Sequence, residues 1–397
     1  MEVYLDLSDN LSNNSTSWSA VILAGGLGSR LNPLTAKICK PMVPVGNKPM
    51  VDYAIDHLRY AGIRKIIIVV KHMGDKLRRL IQNTWTPQIQ EKLGIQVLVP
   101  NVDSKGTADA VRRVSHMIDT EYFVVSMADI VTNLPMREFM NFHELKNAQA
   151  TVSMKRIEEM ATKYGNTLLD EEGRIIRFLE KPSSEEIYLS ALTGGSTEAL
   201  PIINTGIYCF KHEILDLLNS TDFMDFGKEV FPYLLEHQYS LYGFVQDYYW
   251  LDVGNPTTYL WSNWDVLRLY GYPISPAGVR QGLQHIWYAG NIPPPVSHDN
   301  FVCFGSDNHF GENSHIHELC IIGSHCKFGK KVEISRSVIW DNCTVGDNVK
   351  IEQSVIADGC VIGNNCIIRS NSIIGPNCSI SDGVILDAKT LKEDSHI

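Results

Sequence analysis

LAGGLGSRLNPLTAKICKPM, residues Leu23–Met42, follows the apolar run Ser19-Ala20-Val21-Ile22 and turns from glycine-rich to basic. That order reads as a strand, a loop, then a site for an anion. Gly25, Gly26 and Gly28 carry no Cβ, so the backbone here can approach a ligand and adopt positive φ. Successive amides can then form an anion-binding nest. Arg30 and Lys40 add a fork-shaped donor and a point charge, two cations that hold phosphate oxygens differently. Two common phosphate motifs do not fit. No Lys-Ser or Lys-Thr follows a glycine as a P-loop needs, and Leu31 stands where a dinucleotide fingerprint needs its third glycine.

Around this stretch the composition is that of a globular protein. With 397 residues, 44% hydrophobic and 20% charged, the chain exceeds the size at which one core stops growing, so two domains are expected. A net charge of −10 argues against a nucleic-acid partner, which wants a basic face. No run reaches the roughly 18 apolar residues of a membrane span, and the polar, acidic amino terminus is unlike a secretory leader. The reading is a cytoplasmic protein with no membrane partner. Residues 1–17 hold a Ser/Asn/Asp cluster with little to bury and are expected to be a mobile extension.

From Ser19 to Val99 apolar runs alternate with helical stretches. Ala20–Leu23, Lys65–Val70 and Ile95–Val99 read as strands, and Met50–Ala61 and Gly74–Leu80 as helices. This pattern predicts an α/β, Rossmann-like doubly wound domain with a parallel sheet, and such sheets bind ligands beyond the carboxyl ends of their strands. Gly106-Thr107 stands after the third strand at a helix start, with Thr107 placed as a cap or hydroxyl donor. Tyr122–Met127 is a buried strand that ends at Ala128-Asp129, which puts a carboxylate at the carboxyl edge of the sheet. Tyr249–Pro256 brings a second acid, Asp252, and two carboxylates with phosphate oxygens suit Mg²⁺. Trp261–Leu269 reads as a helix. The breakers in 271–300, among them Pro273, Pro276 and Pro293–Pro295, read as a linker.

Beyond it the period changes. VEISRSVIWDNCTVGDN (332–348), VKIEQSVIADGCVIGNN (349–365) and CIIRSNSIIGPNCSISD (366–382) align at a repeat of 17 residues, with aliphatic positions recurring about every six. This predicts a hexapeptide-repeat β-helix over 301–397. Cys326, Cys343, Cys360 and Cys378 follow the same period, at spacings of 17, 17 and 18, so they are expected to stack as buried thiols. No C-x-x-C pair occurs among the nine cysteines, which fits a reducing compartment. His315 and His317 beside Glu318 are read as scattered polar residues of the repeats rather than as a metal or acyl-transfer site.

The opening stretch resembles the signature GGxGxRLxPLTxxxxKPM of the sugar-1-phosphate nucleotidyltransferases, the nucleotide-diphosphate-sugar pyrophosphorylases, and every fixed position is present. The resemblance covers roughly residues 18–390. It implies a catalytic domain over 18–270, a left-handed β-helix, and Mg²⁺-dependent reaction of a nucleoside triphosphate with a hexose 1-phosphate. It implies that Leu23, Ala24, Gly25, Gly26, Gly28, Gly106 and Thr107 line the nucleotide. Arg30 would hold the leaving pyrophosphate, Lys40 the α-phosphate, and Asp129 and Asp252 the metal. Tyr164, Gly165, Glu180, Lys181 and Asn204 would form the sugar-phosphate pocket. The family has glycine where Ala128 precedes Asp129, a departure that narrows the metal site. The stretch Lys40–Met50 resembles the mannose-1-phosphate guanylyl and the archaeal-type glucose-1-phosphate branches, whereas Gly106-Thr107-Ala108-Asp109-Ala110 also occurs in adenylyl- and thymidylyltransferases. Glucose-1-phosphate uridylyl transfer and a non-catalytic regulatory homologue are the further alternatives. Homo-oligomers through the aliphatic sides of the β-helix are expected.

Overall fold

The computed structural model describes residues 17–71, 73–157, 166–179, 202–290 and 295–397. Strand β1 (Trp18–Ala24) is buried along its whole length, as its apolar run requires. Its neighbours β2 (Lys65–Val70) and β4 (Tyr122–Met127) run parallel to it, and β3 (Gln96–Leu98) lies parallel outside β2. Alternate residues of β1 serve two cores. Ala20, Ile22 and Ala24 meet the helices Met50–Tyr60 and Gly74–Thr84, whereas Val21 and Leu23 meet the helix Thr107–Val114. Both faces of the sheet are therefore covered, and its central strands are apolar without alternation.

The sheet is mixed rather than wholly parallel. After β5 (Ile130–Thr132), β6 (Ala150–Arg156), β7 (Asn166–Leu169), β8 (Ile175–Leu179), β9 (Ile202–Lys211) and β10 (Leu241–Val245) complete nine strands in the order β8-β7-β9-β4-β1-β2-β3, with β6 between β9 and β10. Strand β9 runs antiparallel to β4, β6 and β7. The difference is visible in composition. Strand β8 carries the exposed Ile176 and Arg177, as befits an antiparallel edge with one solvated face. Strand β11 (Trp250–Asp252) leaves the main sheet and pairs antiparallel with β5, placing Asp252 opposite Ile130.

His143, on the helix Met136–Leu145, is wholly buried and packs edge-on against the stacked rings of Trp18 and Tyr122, with Nδ1 2.7 Å from Thr151 Oγ1. Burial pushes its pKa down from 6.5 to about 3. The unfolded chain therefore takes up this proton first as the pH falls. The associated stability is complete above 6.5 and lost progressively towards 3. Urea midpoints are expected to decline across this window, and less steeply in His143→Gln; equal slopes would contradict the assignment.

From residue 286 onward the strands stack as a parallel β-helix of three sheets, and the strand 279–280 adds antiparallel to the first of them. Successive coils are offset by 17 or 18 residues, as in Val338↔Val355 and Val355↔Ile373. The strands at 279–280, 286–288 and 297–298 lie inside the stretch read as a linker, yet they pair into this stack. All nine cysteines are free and buried, and the ladder forms. The thiols of Cys326, Cys343 and Cys360 reach the carbonyls of Trp340, Ala357 and Gly375 in the next coil at 3.1–3.2 Å.

One outer face of the stack is apolar and covered. Along the strands of this sheet Val302, Cys320, Ile322, Ile339, Ile356 and Ile374 point into the helix. The alternating Trp287, Cys303, Ile321, Val338, Val355 and Ile373 point out, against Leu31, Leu34, Val43, Val45 and Tyr259 of the first domain. The two other faces carry mainly polar outward positions, such as Lys327, Thr344, Glu333 and Lys350. The aliphatic side expected to meet a second subunit is thus occupied by the chain's own first domain. Among the described residues no helix is long and apolar enough to cross a membrane.

Candidate active site

The Leu23–Met42 stretch begins at the carboxyl end of β1 and is fixed at its far end. Leu31 and Leu34 are fully buried against the β-helix side. Gly28 turns the loop at φ 68, where a Cβ would lie 2.9 Å from Lys40 Cβ and 3.0 Å from Thr35 Cγ2. Both the left-handed backbone and the contact require glycine. Thr35 Oγ1 donates to the Gly28 carbonyl at 2.8 Å, and Leu31 N–H donates to the same oxygen at 2.8 Å. Between these anchors Gly26 has open space around it, and the N–H groups of Gly25 to Gly28 make no hydrogen bond to any described residue. They form a row of free donors at the sheet edge, beside the ends of β1.

Two acids converge beside that row. Asp129 follows β4, Asp252 closes β11, and the β5–β11 ladder with Val253 N–H donating to Asp129 O at 3.1 Å holds the two segments together. Lys40 reaches between them, its Nζ 2.5 Å from Asp129 Oδ2 and 3.3 Å from Asp252 Oδ1. Two carboxylates this close require a counter-charge, and the buried ammonium supplies it. Burial pulls the Lys40 pKa down, but Asp129 and Asp252 outweigh it and the net shift is upward. For Asp252, burial first and the Asp129 charge second raise the pKa against the opposing pull of Lys40 and Arg30. Arg30 is exposed, with Nη2 3.4 Å from where a Cβ on Gly254 would stand. The lysine expected on the α-phosphate therefore spans the two acids instead, and Arg30 is the cation open to solvent.

The remaining expected residues divide. Gly106 admits no side chain, since a Cβ there would lie 2.1 Å from Met224 O. Ala108 N–H donates to that same carbonyl at 2.9 Å. Thr107 Oγ1 accepts from Phe226 N–H at 3.0 Å and donates to Asp225 Oδ2 at 3.2 Å. The Thr107 hydroxyl thus ties the helix start to residues 224–226 rather than standing open to a nucleotide. Asn204 is engaged by Gly206 N–H at 2.9 Å and donates to Tyr208 Oη at 3.1 Å. Tyr164, Gly165, Glu180 and Lys181 lie outside the described residues. Gly106→Ala is expected to lower stability by about 1–3 kcal/mol through overpacking. Gly26→Ala should leave the urea midpoint unchanged; equal midpoints for both variants would contradict the contact.

The family described as Nucleotidyl transferase matches residues 19–268, and the EIF2B subunit epsilon LbH domain matches residues 296–386. The chain belongs to the nucleotidyl transferase family. Its second unit is a stack of parallel strands consistent with a left-handed β-helix. Among similar proteins, a UTP–glucose-1-phosphate uridylyltransferase of Synechocystis is 29% identical over 63% of this chain and 62% of its own length. A mannose-1-phosphate guanyltransferase of Yarrowia lipolytica is 32% identical over 60% of this chain and 61% of its own. A glucose-1-phosphate adenylyltransferase of Thermosipho africanus is 31% identical over 81% and 77%. The first two matches thus span less than two thirds of those relatives. As a nucleotidyl transferase family member, the chain places its glycine-rich signature and both acids inside the matched 19–268 segment.

Proposed function

We propose that this protein transfers a nucleotidyl group from a nucleoside triphosphate to a hexose 1-phosphate. The observation that carries this reading is the convergence of Arg30, Lys40, Asp129 and Asp252 beside N–H groups that have no partner among the described residues. Free amides and cations suit a polyphosphate. A phosphate oxygen of the sugar phosphate attacks the α-phosphorus in line, the new P–O bond forms, and the bond to the bridging oxygen breaks with departure of pyrophosphate. No covalent nucleophile is needed, so positioning and charge neutralisation carry the rate. The open Arg30 holds the leaving pyrophosphate, and Lys40 exchanges a carboxylate partner for an α-phosphate oxygen. The carboxylate oxygens of Asp129 and Asp252 already converge on one cation, a hard donor set that fits Mg²⁺. When bound, such an ion neutralises phosphate charge. On sequence grounds Lys181 holds the sugar phosphate, and Glu180 and Asn204 the sugar hydroxyls.

Guanylyl transfer to mannose 1-phosphate is the favoured pair, supported by the signature's likeness to that branch and by relatives so named in Yarrowia lipolytica and Arabidopsis thaliana. A scaffold role has one observation in its favour, the EIF2B-type β-helix, but the complete set of cations and acids favours an enzyme. Pyrophosphate release from a panel of four triphosphates against several hexose 1-phosphates tests the reading. Release with one pair well above the others, and only with a divalent metal, is expected; release with none would favour the scaffold. Homo-oligomeric assembly through the β-helix domain, in the cytoplasm, completes the proposal, and light scattering on the full chain checks it.

A further inference from the structure

The stack carries a second cluster that the transfer chemistry does not use. His315 and His317 alternate with the fully buried Ile316, so both imidazoles stand on the outer face of one sheet, their ring centroids 4.4 Å apart. Glu318, their neighbour in sequence, does not join them, because it pairs with Arg336 of the next coil at 3.2 Å. The third member comes from the preceding coil. An 18-residue offset sets Ser297 under His315, and Asp299 follows on the same side. Asp299 Oδ1 lies 3.0 Å from His315 Nε2, and Oδ2 lies 3.5 Å from His317 Nδ1. One ligand atom from each of the three residues falls within 4.8 Å of the others.

We propose that Asp299, His315 and His317 form a site for a divalent transition metal, Zn²⁺ by preference. Two imidazole nitrogens and one carboxylate are a donor set that zinc accepts, and three protein ligands leave a fourth position for water. Bonds of about 2.0–2.2 Å place tetrahedral ligand atoms about 3.3–3.6 Å apart, close to the separations here. His315 Nδ1 lies 2.9 Å from Ser297 Oγ. A proton held on Nδ1 by that hydroxyl turns the lone pair of Nε2 towards Asp299, the orienting bond that metal-bound histidines usually have. Elsewhere on this face neighbouring coils are joined by permanently charged pairs, Glu333 with Lys350 at 2.9 Å and Arg369 with Asp387 at 2.8 Å. At the first step the cationic partner is replaced by two imidazoles, which carry lone pairs as well as protons. Residues 297–298 are the end strand of their sheet. A metal there clamps the first coil to the second.

The test uses the full-length protein, stripped of metal and titrated with Co²⁺ as a visible probe and with Zn²⁺ as its competitor. One Co²⁺ per chain with d–d absorption, beyond whatever the His315→Ala/His317→Ala double variant binds and displaced by one Zn²⁺, is expected. His315→Ala, His317→Ala and Asp299→Asn should each weaken Zn²⁺ at least tenfold, and Ser297→Ala about tenfold. Zn²⁺ should raise the thermal midpoint of the parent protein but not of the His315→Ala/His317→Ala double variant, whose circular dichroism checks its fold. Absence of the bands in the parent protein, or the same bands and Zn²⁺ affinity in a folded double variant, would overturn the site. So would a destabilised Asp299→Asn whose parent protein gains nothing from either metal, since that is the behaviour of a simple ion pair.

Discussion

Asp129→Asn and Asp252→Asn are each expected to lower the rate of pyrophosphate release by about 10²–10³-fold, the usual consequence of deleting a charged group aimed at the reacting centre. Both acids lie at the end of Lys40, within 2.5 and 3.3 Å of its ammonium. Each amide therefore removes one charge from the metal-holding pair and also frees the lysine from one partner. The carboxylates are 30% and 24% exposed, so water can hydrate the remaining charges and the fold should survive. Asp222→Asn, at a fully exposed acid, is the control and should leave the rate unchanged. Near-parental turnover of either site variant at saturating metal would remove that residue from the reaction.

The largest effect on stability is expected from Trp340→Ala. Trp340 sits on the β-helix, 6% exposed, and its Nε1–H donates to Tyr259 Oη at 2.8 Å. Tyr259 in turn donates to the Pro44 carbonyl at 2.7 Å, two residues beyond the signature stretch. One indole therefore connects the repeat domain to the loop that carries the glycines. Truncation to alanine should cost about 3–5 kcal/mol, the range for a buried large aromatic. Trp340→Phe retains most of the packing and should cost markedly less. The readout is the urea midpoint together with the KM for triphosphate, which should rise in Trp340→Ala as Leu31 and Leu34 lose support. A midpoint unchanged by Trp340→Ala would show that the domain interface does not stabilise the chain. The same face makes a first domain cut at about Pro295 prone to aggregate, because Leu31, Val45 and Tyr259 would lose their cover.

The parts of this architecture written in local periodicity were legible beforehand. The runs at Ala20–Leu23, Lys65–Val70 and Tyr122–Met127 are strands, and the 17-residue repeat is a coil of the β-helix. What depended on distant segments was not. The antiparallel course of β9 is set by partners as far away as Tyr122 opposite Lys211, 211 − 122 = 89 residues, and by Ile203 opposite Asn166. The last long helix runs from Pro256 to Leu267, earlier than expected. Asn255 as a two-way cap with Thr258, and proline in the first turn, were its readable signals. Arg30, Lys40, Asp129 and Asp252 do meet. Yet no spacing could show that Lys40 would lie between the acids, or that Thr107 would spend its hydroxyl on residues 225 and 226. Asp299 was passed over because it is 16 residues from His315 in the chain, although the coil period itself brings it underneath.

The central claim, transfer of a nucleotidyl group by the Arg30, Lys40, Asp129 and Asp252 cluster, is tested most directly by following labelled phosphorus. The preferred triphosphate is supplied with label at the α or the γ position, together with hexose 1-phosphate and Mg²⁺. The account predicts α label in the nucleotide-diphosphate sugar and γ label in pyrophosphate, in equal amounts, with both lost in Asp252→Asn. Label from the γ position appearing as orthophosphate or on the sugar would contradict it.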